Sequence, residues 1–63
     1  MTIEIYVDNY ERPDAVTETV NRLEIDYQIE HADSVSCITV ANEDAANKLD
    51  GLLTVIHRRV IHG

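Results

Sequence analysis

Glu11 and Asp14 stand three residues apart in the stretch IEIYVDNYERPDAV, a spacing at which two carboxyls can be tried as an acid and a base. Such work needs environments that push their pKa values apart. A short polar loop offers no desolvation to do so, and the simpler expectation is that Asp14 complements the positive end of a helix beginning at Pro13. Cys37 is the single cysteine. No base is paired with it in sequence, so it is expected to pack mid-strand as a small hydrophobe. His31 and Asp33 share a turn, while His57 and His62 are five apart, off the i, i+4 spacing that stacks two ligands on one helical face. Zinc-finger and H-E-x-x-H spacings are absent, and the only glycines, Gly51 and Gly63, cannot form a glycine-rich phosphate loop. No catalytic residue, metal site or cofactor is therefore expected.

The elements that must position these residues follow from hydrophobic periodicity. Thr2 to Asp8 alternates, with Ile3, Ile5 and Val7 on one face and Glu4 and Tyr6 on the other, as a half-buried strand does. Asn9 to Arg12 form a loop, and Pro13 suits the first helical position because its missing N–H would be unpaired there anyway. Val16, Val20 and Leu23 then give one apolar stripe over about three turns. IDYQIE places Ile25, Tyr27 and Ile29 opposite Asp26, Gln28 and Glu30, HADS is a short turn, and VSCITV is a strand from Val35 to Val40. So short a connection makes these two strands an antiparallel hairpin, since a parallel pair needs a crossover of a dozen or more residues.

Asn42 is a helix N-cap, followed by Glu43 and Asp44 at the positive end of the dipole. Ala45, Ala46, Leu49, Leu53, Ile56 and Val60 keep a helical period, which predicts one helix over 43–60. Gly51 is the objection, at a cost of about 1 kcal/mol relative to alanine. The expected fold class is a small two-layer α+β domain over residues 1–63, a βαββα arrangement with the hairpin and two helices on one face. If Gly51 ends the second helix, LLTVI becomes a fourth strand and the chain closes as a ferredoxin-like βαββαβ.

The 63 residues allow one domain, and a chain this short buries only about 60% of its unfolded surface. One cysteine excludes an intramolecular disulfide, so a reducing, cytoplasmic setting is expected. No apolar run approaches the roughly 18 residues of a membrane span, and no leader pattern opens the chain. The net charge of −7 arises entirely in residues 1–33, where nine acids face Arg12 and Arg22. Direct contact with nucleic-acid phosphates is disfavoured by repulsion, and a basic protein surface is attracted.

IEIYVDN resembles the first strand of glutaredoxins and small glutaredoxin-like redoxins, LEIDYQIE their second, and SVSCITV the segment that carries their cis-proline. The resemblance implies a C-x-x-C turn, which would fall on Glu11 and Asp14, or on Tyr10 and Pro13 in the register counted from the second strand. Neither supplies a thiol. The cis-proline position holds Ser36, and the helix that separates the two later strands is replaced by HADS. Redox activity of the redoxin kind is not expected.

What remains is a surface. Carboxylates on alternate strand positions repeat at about 6.6 Å, comparable with successive phosphates of a nucleic acid. In size and charge the chain is similar to small acidic phage-encoded inhibitors that block CRISPR or restriction enzymes. The expected function is a non-catalytic binding protein that mimics nucleic acid and occupies a basic nucleic-acid-binding site on its target. The residues expected to carry it are Glu4, Tyr6, Asp8, Tyr10, Glu11, Asp14, Glu18, Asp26 and Glu30, the tyrosines because they combine apolar area with a hydroxyl. A degenerate redoxin, and a homo-oligomeric subunit such as a homodimer, are the alternatives.

Overall fold

The computed structural model describes residues 1–61. The order of elements is β1 (Thr2–Asp8), α1 (Pro13–Asn21), β2 (Gln28–His31), β3 (Val35–Val40), α2 (Glu43–Leu52) and β4 (Val55–Ile61). The sheet runs β2-β3-β1-β4 with every neighbour antiparallel. This α+β fold is the ferredoxin-like βαββαβ arrangement.

The expectation of one helix over 43–60 is thereby corrected. Asn42 caps α2 as its type predicts, its Oδ1 accepting the Ala45 N–H at 2.9 Å. The helix ends at Leu52, and Leu53 turns extended (φ −121°, ψ 162°) while its N–H still reaches the Leu49 carbonyl. The apolar residues 53–60 fit a helical period as well as they fit a strand. Pairing along β1, Thr2↔Ile61 through Tyr6↔His57, decides between the two, helped by the β-branched run Thr54, Val55, Ile56. A bulge follows, since Val7 pairs with Val55 and leaves Ile56 as the extra residue.

Both helices cover one face of the sheet. Ile3, Ile5 and Val7 of β1 and Ile38 and Val40 of β3 meet Val16 and Val20 of α1 and Ala45, Ala46 and Leu49 of α2. Burying each large member of this set contributes about 1.5–3 kcal/mol, so a core this small depends on every one of them. Leu23, Ile25, Tyr27 and Ile29 pack at its margin, in agreement with the alternation of IDYQIE. The strand itself begins only at Gln28, opposite Thr39, and ends at His31. His31 belongs to β2, and the turn is closed by Ala32 N–H to Val35 O at 2.8 Å.

Cys37 does not enter the core. Ser36, Ile38 and Val40 take the buried face of β3, whereas Val35, Cys37 and Thr39 lie half-buried on the opposite face. Alternation permits either assignment, and the greater apolar volume of Ile38 and Val40 over Val35 and Cys37 sets the phase.

Candidate protein-binding surface

The loop after β1 is built around Asn9, which is only 2% exposed. Its Oδ1 accepts the Glu11 N–H at 2.9 Å, and its Nδ2 donates to Ser36 Oγ at 3.1 Å and to the Ala32 carbonyl at 3.3 Å. Its backbone N–H donates to Ser34 O, and its carbonyl accepts from Arg12 N at 2.7 Å. One side chain thus ties the β1–α1 loop to the β2–β3 turn. Asp8 assists, its Oδ1 accepting the Tyr10 N–H at 2.8 Å.

These bonds hold two consecutive non-glycine residues, Tyr10 (φ 51°) and Glu11 (φ 59°), in the left-handed region. For residues with a Cβ this costs about 1–2 kcal/mol each. The strain has a visible product. Tyr10 stands 65% exposed, with its hydroxyl hydrogen-bonded to Thr54 Oγ1 at 2.9 Å, and Glu11 projects from the adjoining position. Beneath them runs a cleft of about 170 Å³ between the loop, α1 and the end of α2, walled by Ala15, Val16, Leu52 and Leu53.

The polar chain continues past Asn9 and Ser36 to the surface, through the exposed His31. Ser36 Oγ lies 2.7 Å from His31 Nδ1, and His31 Nε2 lies 3.0 Å from Thr17 Oγ1. Every group is satisfied when Asn9 donates to Ser36, Ser36 to His31 Nδ1, and His31 Nε2–H to Thr17. A serine beside a histidine has the form of a nucleophile and its base, yet Ser36 is completely buried and its oxygen already receives Asn9. The pair fastens β2 and β3 to α1. In the sequence His31 stands only as a turn histidine and Ser36 only at a lost cis-proline position, and Asn9 and Thr17 carry no role; the polar Ser36 within the alternating apolar face of VSCITV is the one signal of this bonded chain.

The nine residues expected at a binding surface fall into three groups. Asp8, Tyr10 and Glu11 belong to the loop. Asp14 and Glu18 are exposed on α1, in the helical layer. Glu4, Tyr6 and Glu30 lie on the open face of the sheet, and Asp26 flanks that face at a shallow depression lined also by Thr2, Gln28 and Thr39. Cross-strand register sets Glu30, Cys37, Tyr6 and His57 in one row, and Gln28, Thr39, Glu4 and Arg59 in the next. Tyr6 packs against the His57 ring at a centroid distance of 5.7 Å. The Cys37 thiol beside it, then desolvation and Glu4, push the Tyr6 phenol above its ordinary value, against a smaller opposing effect of Arg59.

The arginines decide where negative charge stays uncompensated. Arg59 holds Glu4 at 2.8 Å, Arg22 holds Glu18 at 2.6 Å, and Arg58 reaches Glu43 at 4.0 Å. Asp8, Glu11, Asp14, Glu24, Asp26, Glu30, Asp33, Asp44 and Asp50 have no ion pair among the described residues. Glu11, Asp14 and Asp33 gather at the end of the molecule where the Asn9 loop meets the β2–β3 turn. No group of three or more metal-ligating side chains occurs among the described residues, and His62 lies outside them. No described helix is long and apolar enough to cross a membrane.

No family model matches the chain, and neither does any curated protein or solved structure.

Proposed function

We propose that this chain is a non-catalytic protein-binding domain whose acidic loop end occupies a basic site on a nucleic-acid-handling protein, as a phage-type inhibitor of a CRISPR or restriction enzyme would. The observation that carries the reading is the pair of left-handed residues Tyr10 and Glu11, held open by Asn9 and Asp8. Backbone strain that a buried side chain maintains, and that displays an exposed tyrosine beside a carboxylate, is characteristic of recognition loops. Glu11 beside that tyrosine and Asp14 in the first turn of α1 offer charge free to meet lysine or arginine, and the cleft beneath the tyrosine, bordered by Arg12 and walled by Ala15, Val16, Leu52 and Leu53, suits the aliphatic stem of such a side chain. Asp26 and Glu30, beside the sheet's outer edge, extend the negative field that would steer a basic partner.

The test is capture of partners from a prokaryotic lysate on the immobilised protein at low and high salt, with a Tyr10→Ala/Glu11→Gln variant in parallel. A basic nucleic-acid-handling protein should be retained at low salt, released at high salt and lost with the variant. Retention that ignores both salt and the variant overturns the proposal.

A further inference from the structure

We infer that His31 is a positioning residue for the recognition loop. With its ring proton on Nε2, it acts through Ser36 and Asn9 to keep Tyr10 and Glu11 left-handed. This role rests on the proposed reading of that loop as the recognition site. His31 needs no contact with the loop itself, because each bond between them runs in one direction only.

That direction is dictated from the Glu11 end. A backbone N–H can only donate, so the Asn9 atom that meets the Glu11 amide at 2.9 Å is the side-chain oxygen. Both protons of Nδ2 then point the other way, to the Ala32 carbonyl at 3.3 Å and to Ser36 Oγ at 3.1 Å. Ser36 Oγ, already accepting, has its single proton left to donate, and its other partner among the described residues is His31 Nδ1 at 2.7 Å. That nitrogen must offer a lone pair. The ring proton belongs on Nε2, where Thr17 Oγ1 lies at 3.0 Å and accepts it.

Place in the fold makes His31 the accessible end of this chain. It is the cross-strand partner of Ser36, and the two side chains share the helical face of the sheet. Ser36, on an inner strand, is completely buried, whereas β2 is an edge strand and leaves His31 exposed and within reach of α1. A buried hydroxyl that loses its acceptor carries the full cost of its desolvation. Without Nδ1, the Ser36 proton is satisfied inside the chain by an Asn9 whose oxygen has turned toward it. An Asn9 so turned presents Nδ2 to the Glu11 N–H, donor against donor, and the clamp on the left-handed pair is lost.

His31→Asn and His31→Gln separate this role from a simple fastening of β2 to α1. Asparagine places Oδ1 where the imidazole has Nδ1 and stops short of Thr17, while glutamine reaches toward Thr17 and leaves Ser36 without its acceptor. Exchange of the Glu11 amide, followed by NMR on each full chain, should stay within about twofold of the parent in His31→Asn and rise about tenfold in His31→Gln, the loss of one hydrogen bond. Asparagine suits strands poorly, so a better-held loop in that variant cannot be the echo of a more stable fold. Imidazole nitrogen NMR of the unaltered chain gives a second readout that needs no variant, and it should show the Nε2–H form of His31. An Nδ1–H form, equal Glu11 exchange in the two variants, or slower exchange in His31→Gln than in His31→Asn each overturn the role of His31. These measurements are made on the free protein, so they decide that role whatever partner capture decides about the loop as a recognition site.

Discussion

Replacing Asn9 by alanine removes three side-chain hydrogen bonds, from Nδ2 to Ser36 Oγ and Ala32 O and from the Glu11 N–H to Oδ1. Each is worth about 0.5–1.5 kcal/mol net, so direct loss alone amounts to about 1.5–4.5 kcal/mol. Part returns as strain relief. Once Oδ1 no longer holds the Glu11 amide, Tyr10 and Glu11 can leave the left-handed region and recover up to about 1–2 kcal/mol each. The expected net destabilisation is about 1–3 kcal/mol, a large share of the roughly 3–9 kcal/mol available to a domain of 63 residues. Urea unfolding followed by circular dichroism measures it, and a cycle with Ser36→Ala should show a coupling of about 0.5–3 kcal/mol for side chains that share a bond. Stability within about 0.5 kcal/mol of the parent, as for an ordinary surface change, with no coupling to Ser36, would refute the view that Asn9 maintains the loop.

Glu11→Gly should raise stability by about 0.5–1 kcal/mol in the same assay, since glycine accepts the φ of 59° freely, while weakening partner capture through the lost carboxylate. Gly51→Ala should also stabilise, by up to about 1 kcal/mol in thermal melts, because a Cβ there meets nothing within 4 Å and the residue lies in the last turn of α2. The Tyr6 phenol should titrate above the unfolded value of 10.0 and fall back toward it in Cys37→Ser, as read by NMR. With its folded pKa raised, Tyr6 favours the native state below pH 10.0 and loses that contribution as pH climbs through the folded value, so alkaline stability should improve in Cys37→Ser.

Several parts of this protein were legible in its sequence. Alternation located β1 and fixed β3 at Val35–Val40, Pro13 marked the start of α1, and Asn42 with Glu43 and Asp44 marked that of α2, all because these signals are local. The surplus of acid in the first half was equally plain. Tertiary structure decided the rest. Leu53 to Val60 satisfy two periods, and only the open flank of β1 made a strand from Val55 onward. The phase of β3, which left Cys37 half-buried on the open face and buried Ser36, was set by where Ile38 and Val40 could reach the helices. Asn9 reads in sequence as one polar loop residue among four, and becomes the anchor of the candidate site only because Ala32 and Ser36, more than twenty residues away, are folded against it. Pairing of arginines with Glu4, Glu18 and Glu43 then determined which carboxylates remain uncompensated. Composition supplies the total charge, and long-range contacts determine its distribution.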